Sequence, residues 1–262
     1  PAGPDLEYDP EFGLLTNGMT RKPEQQMGDS IIPAEDPDWR EGKRLALALL
    51  KRTRDIRVAT ALAEASLHLD GFPGYRAGIE LVDGLLTGFW DTVHPELDAE
   101  DDNDPTMRVN AAAGLVSDSF IRGVRETPLV SSRALGRFSL RDVQVAAGDI
   151  QAANPDDVPD SAAVDGAFMD CDVEELQATA EAVAVAHERV LAIDAFLGER
   201  RDRLVADPAR DDVVTHVGEV GGDIQREPVH RAAPAKADTD RADLAFTFGA
   251  RVEPHSGVAR ET

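Results

Sequence analysis

The stretch FWDTVHPELDAEDDNDPTMRVNAA, Phe89 to Ala112, decides how the chain is built. Trp90 and His94 close an apolar run, and five acids follow within seven residues, Asp98 to Asp104. An Asp-Pro break, Asp104-Pro105, then opens a second apolar run that carries Arg108. Three readings compete: a cation loop, a catalytic centre, or a connection between two helices. Asp98, Glu100, Asp102 and Asp104 alternate as the first ligands of a calcium loop do. Such a loop needs Gly at its sixth position and a bidentate Glu at its twelfth, where this chain has Asn103 and Val109. A general acid–base pair of His94 with a loop carboxylate has no second signature to support it. The helical connection accounts for every position. His94-Pro95 ends one helix, with the imidazole near its last carbonyls. Asp104 is the N-cap of the next helix and Pro105 its first residue. The loop acids favour that helix's N-terminus through the macrodipole. Trp90 and Met107 are read as packing residues. Arg108, unfavourably placed for the dipole, is expected to pair with a carboxylate.

Working outward, the flanks are helical too. Asp36-Pro37-Asp38-Trp39 reads as a helix entry capped by Asp36, running to about Arg52. Asp55 caps a second helix whose Val58, Leu62, Ala65 and Leu69 repeat at helical period. Asp70–Gly74, DGFPG, breaks it. A third helix carries Ile79, Val82, Leu86 and Phe89 on one face. Leu129/Val130 and Phe138/Leu140 flank Gly136 as a small β-hairpin near 127–141 would, and GDIQAANPDDVPDSA reads as a linker. The longest periodic segment is 172–203, with Val173, Leu176, Ala180, Val183, His187, Val190, Asp194 and Leu197 on its expected apolar stripe. His187 and His68 are read as core histidines. Residues 1–38, rich in Pro, Gly and charge, are read as an extended wrapping segment. Residues 218–262 have the composition of a flexible Pro/Ala/charge-rich tail. The expectation is an all-α multi-helix domain over 1–217, followed by that tail.

Composition narrows the function. A 42% apolar fraction suffices for a core, and the net charge of −23 repels a phosphate backbone, so nucleic acid is not an expected partner. No apolar run reaches the length of a membrane span, which excludes direct membrane insertion. PAGPDLEYDPEFG has neither the basic nor the apolar region of a signal peptide, which makes the cytoplasm the default location. The single cysteine, Cys171, lies between Asp170 and Asp172, which raise a thiol's pKa. No nucleophile elbow, zinc helix motif or phosphate-binding glycine loop is present. No enzymatic activity and no cofactor or metal are expected. The runner-up is a metal-binding module or metal-dependent enzyme using the 98–104 acids and His94.

Several blocks together resemble one family. PAGPDLEYDPEFG, GDSIIPAEDPDWR, RTRDIRVATALAEASL, GFPGYRAGIELVDGLL, FWDTVHPELD and NDPTMRVNAAAGL stand in the order and spacing of the ImpA-type N-terminal domain. That domain occurs in the TssA component of the bacterial type VI secretion system. The likeness continues through SLRDVQVA and DGAFMDCDVEELQATAEAV, about residues 1–205. It implies a cytoplasmic, non-enzymatic scaffold of all-α fold. Such a scaffold acts in baseplate priming and in assembly of the tail tube and sheath, in contact with baseplate, tube, sheath or membrane-complex proteins. No catalytic residue carries over. The motif positions that do are Trp90, Asp91, His94, Pro95, Asp98, Asn103, Asp104, Pro105, Met107, Arg108 and Asn110, in a structural or docking role. The family's ring-forming helical module follows a G-D-I stretch, whereas here the tail begins after Ile224. Homo-oligomerisation is therefore expected to be weakened.

Overall fold

Asp55 fixes where the central helix begins. In a computed structural model, which describes residues 2–22, 24–27, 30–152 and 154–205, its carboxylate accepts from the Arg57 N–H at 2.8 Å. That bond meets one of the N–H groups a helix start leaves without a partner. Helix α3 then runs Ile56–Phe89 and bends at Gly71, whose φ of 68° and ψ of −153° interrupt the helical course. The DGFPG break is present, but as a sharp turn from which the helix resumes at once. The two halves fold back on each other. A Cβ on Gly78 would lie 2.5 Å from Ala63 Cα, so the halves approach at backbone distance and only glycine fits.

Around this hairpin the other helices pack in two clusters. Val58 and Leu62 meet Leu45 and Leu49 of α2 (Trp39–Leu50), with Phe12 and Leu15 of α1 (Pro10–Gly18). On the other side Ile56, Leu67, Ile79 and Leu86 meet Ala112 of α4 (Thr106–Ala113) and Phe120 of α5 (Asp118–Glu126). Ala186, Ile193 and Leu197 of α8 (Val173–Val205) complete this second cluster. Arg76–Glu181 at 2.9 Å and Asp83–Arg189 at 3.4 Å pin α8 along the second half of α3.

Short antiparallel pairs decorate the helices. Strands β1 (Gln25–Met27) and β2 (Ser30–Ile32) pair Gln26 with Ile31. Strands β3 (Pro128–Ser132) and β4 (Gly136–Ser139) form the expected hairpin, with Val130 opposite Phe138. The hairpin packs on α6 (Leu140–Ala147) and α7 (Ser161–Asp170), where Ser132 Oγ donates to Asp170 at 2.7 Å. The fold is all-α apart from these hairpins, as expected.

Several boundaries differ from the sequence reading. The segment before residue 38 is extended only in part. Pro10 opens α1, and Asp9 caps it by accepting from the Glu11 N–H at 2.9 Å. The α2 cap is Asp38 and not Asp36, because the Asp38 carboxylate meets the N–H groups of Arg40 and Glu41, both at 3.1 Å. Helices α6 and α7 begin at the ends of the stretches read as hairpin and linker and run on beyond them; Ser139 and Asp142 cap α6 reciprocally. On α8 the buried line is Ala182, Ala186, Ile193 and Leu197, while Val173, His187 and Asp194 of the expected stripe face solvent. Alanines carry the inward face there, and an apolar count weighted to valine and leucine misplaces it. His68 is likewise exposed, stacked on Trp39 with ring centroids 3.8 Å apart. Residues 206–262 lie outside the described residues, and so do the expected 217/218 boundary and tail.

Candidate functional site

The chain leaves α3 through Trp90 and folds into a knot centred on Arg108. Arg108 is 1% exposed, and its guanidinium donates to three backbone carbonyls of the connection. Nε reaches Pro95 at 2.7 Å, Nη2 reaches Val93 at 2.8 Å, and Nη1 reaches Trp90. Only arginine offers a planar fork with donors in all three directions. The partners are carbonyl dipoles rather than the carboxylate expected from sequence. Burial pushes the Arg108 pKa down to about 10, while Asp91 and Glu96 pull it back up, so it is a cation at neutral pH. A buried cation without hydrogen bonds is strongly unfavourable, and here each edge of the fork is met. The same guanidinium lies 4.7 Å from the centroid of the Trp90 ring. Trp90 is half-buried, with its ring edge-on to Phe196 at 5.4 Å and Arg200 over it at 4.7 Å. One residue thus links the ends of α3, α4 and α8.

His94 makes the second half of the knot. It is 3% exposed, and the bond to Pro95 is cis. Its N–H donates to Arg54 O and its carbonyl accepts from Ile56 N, both at 2.9 Å. The imidazole does not return to the helix's last carbonyls. Nε2 lies 3.0 Å from Gly3 O, a pure acceptor, so the ring proton sits on Nε2. Nδ1 has no hydrogen-bond partner among the described residues. Arg54 N also donates to Ala2 O at 2.6 Å, and Thr53 Oγ1 to Pro4 O at 2.8 Å. Gly3 has φ of +83°, and a Cβ there would overlap the Arg52 carbonyl. The first residues therefore form a strap seated against the start of α3.

Arg57 fastens that strap. It holds the fully buried Asp55 and reaches Glu7 at 2.8 Å and Asp5 at 3.3 Å, over the ring of Phe12. Desolvation opposes its charge, but the Asp55 and Glu7 carboxylates hold its pKa above the ordinary arginine range. Sequence reading found Asp55 as a cap and missed Arg57. Its strap partners Glu7 and Asp5 lie 50 and 52 residues away, and no local spacing signals them.

The acidic turn itself is held by backbone. Asp98 Oδ1 accepts from Glu100 N at 2.9 Å, and Asn103 N donates to Asp98 O at 2.7 Å. Asp102 and Asn103 take positive φ of 50° and 60°, which Asp and Asn tolerate best among non-glycine residues. Asp104 accepts from Thr106 N at 2.6 Å, and Pro105 stands at the N-cap position with the helix starting at Thr106, one residue later than expected. Pro95 and Pro105 are buried, whereas Asp91, Asp98 and Asn110 face solvent. Met107, expected to pack, is 54% exposed. The His94 ring is committed to Gly3 instead of the loop acids. Among the described residues no group of three or more His, Cys, Asp or Glu is gathered as a ligand set. Cys171 is raised in pKa, by burial first and then by Asp172 and Asp170.

Residues 1–117 match the family model described as ImpA, N-terminal, type VI secretion system. The chain carries an ImpA-type N-terminal domain. The strap, α1 to α4 and the whole Arg108 knot lie inside the matched residues. Type VI secretion system component TssA1 of Pseudomonas aeruginosa is 44% identical to this chain over 200 residues, 76% of this chain and 58% of that protein. The chain therefore spans less than two thirds of that relative's length. A solved structure is similar over 78% of this chain and 79% of its own, with 25% identity and a TM-score of 0.56. It is the N-terminal domain, including the conserved ImpA_N region, of the TssA component from Burkholderia cenocepacia. No helix among the described residues is long and apolar enough to cross a membrane.

Proposed function

We propose that this ImpA-type chain is a TssA component that works in the cytoplasm as a non-enzymatic scaffold of type VI secretion. It acts in baseplate priming and tail tube and sheath assembly through contacts with baseplate, tube, sheath or membrane-complex proteins. The observation that carries this reading is the 44% identity over 200 residues to TssA1. The chemistry of the knot supports it. Arg108 and His94 are turned onto backbone carbonyls, so neither is presented to a substrate. The motif positions divide accordingly. Trp90, His94, Pro95, Asp104, Pro105 and Arg108 hold the connection together, while Asp91, Asp98, Asn103, Met107 and Asn110 face outward and are the ones a partner meets.

Affinity capture against purified baseplate, tube, sheath and membrane-complex proteins tests this. Capture of at least one, lost on substitution of the outward motif positions, is the expected result; capture of none overturns the scaffold. Titration calorimetry with calcium, magnesium and zinc is expected to give no stoichiometric binding. Binding that disappears in Asp102→Ala and Asp104→Ala would return the acidic turn to a metal role.

A further inference from the structure

In a chain of net charge −23, three arginines gather around one cavity. It has a volume of about 480 Å³ and is lined by Ile121, Arg122 and Arg125 of α5, Arg141 at the start of α6, and Ile150. Asp118 and Glu126, the terminal residues of α5, also border it, so three guanidinium groups stand against two carboxylates. The arrangement follows from the amphipathic character of α5. Phe120 and Gly123 are buried against α3, which turns Ile121, Arg122 and Arg125 toward the opening. Ile121 and Arg125 are four residues apart and share a face. All three arginines are half-buried, so their stems lie on the protein surface instead of extending into solvent. Arg125 donates to the Gln144 side-chain oxygen at 2.9 Å, and Arg122 acts on the Glu64 carboxyl at longer range. Among the described residues no carboxylate closes an ion pair within 4 Å on any of the three. Ile121 is 44% exposed in their midst.

We infer that this groove docks a short acidic segment of another protein, with an apolar side chain seated beside Ile121 and Ile150. Arginines flanking an exposed aliphatic residue match a peptide in which acids flank a leucine or similar anchor, since forked guanidinium groups grip carboxylates and the isoleucines supply apolar area. A second copy of this chain is a poorer occupant, because two bodies of −23 repel. The same repulsion disfavours a nucleic acid, whose negative charge runs along the whole polymer, more than a short peptide that brings only a few carboxylates to the groove. This surface is separate from the Arg108 knot and from the outward motif positions, so it stands or falls independently of the scaffold assignment.

The test is fluorescence anisotropy of the full chain with a fluorescein-labelled peptide of repeating Glu-Glu-Leu. Saturable binding is expected, with the Kd rising about tenfold or more when Arg122, Arg125 and Arg141 are all changed to Gln. Ile121→Ser should weaken binding severalfold with the charge intact. The control pair Arg133→Gln and Arg137→Gln, on the β3–β4 hairpin and outside the lining of the groove, should leave it unchanged. Circular dichroism melts confirm that each variant is folded. The inference is overturned by absence of saturable binding, by equal binding to the triple variant, or by equal loss in the control pair. It is also overturned if a single-stranded RNA or inorganic phosphate competes as well as unlabelled peptide. Self-association of the chain that vanishes in the triple variant would assign the groove to a second copy and overturn it as well.

Discussion

Arg108 shows what a single side chain contributes when all its donors meet backbone. Its removal leaves the carbonyls of Trp90, Val93 and Pro95 buried without donors and opens a void under the Trp90 ring. Arg108→Ala is expected to cost about 3–5 kcal/mol in urea unfolding. Arg108→Lys should recover less than half of that, because an ammonium cannot span three carbonyls lying in different directions. A loss below about 1 kcal/mol for the alanine variant would mean the knot is dispensable. Trp90, only half-buried, sets a lower figure than a core tryptophan; Trp90→Ala is expected to cost about 2 kcal/mol. Glu64 behaves differently. Burial raises its carboxyl pKa, against the lowering effects of the Ser119 hydroxyl bond and Arg122. A raised folded pKa means the native state binds the proton more tightly than the unfolded chain. Stability is then fullest below the unfolded value and is lost as pH rises through the folded one. Glu64→Gln should accordingly raise the melting temperature at neutral pH and leave it unchanged near about pH 3. Equal shifts at both pH values would show that ionisation is not the cause.

At the scale of elements, the two halves of α3 and the N-terminal strap depend on close backbone approach. Gly78→Ala forces the halves apart against Ala63 and is expected to cost about 1–3 kcal/mol, read as a lowered urea midpoint. An unchanged midpoint would mean the halves can separate freely. Much of this level was legible locally. Asp55 as a cap, the DGFPG interruption and the Val130–Phe138 hairpin each follow from short-range chemistry that the sequence displays. Helix α1 was not legible. Its Pro10 and glycines resemble a loop, and only the burial of Phe12 and Leu15 against α2 makes the segment helical. The inward line of α8 was misplaced for a related reason: Ala182 and Ala186 face the core because the partner helix comes near, which the α8 sequence does not contain.

For the whole molecule, the charge balance matters more than any pair. At −23, repulsion among like charges opposes the folded state, while exposed ion pairs such as Lys22–Glu35 contribute little. Raising salt from about 0.01 M to about 0.15 M should therefore raise the melting temperature, since screening relieves long-range repulsion more than it weakens the pairs. A fall would mean that the Arg57 and Arg52 ion-pair networks on the strap dominate. The candidate site was legible in outline: the 89–112 stretch holds the knot, and its spacing argued against a calcium loop. The site's partners were not legible. Sequence alone determined the helical class, the Asp55 cap and the DGFPG break, and the likeness to the ImpA-type domain, because capping, turn chemistry and ordered motif blocks are local properties. Tertiary structure decided that Arg108 answers carbonyls and not a carboxylate. It likewise decided that His94 reaches back to Gly3, and that Arg122, Arg125 and Arg141 share one groove. Those outcomes depend on which residues distant in the chain are brought within 3 Å or around one cavity, and no spacing along the sequence encodes that.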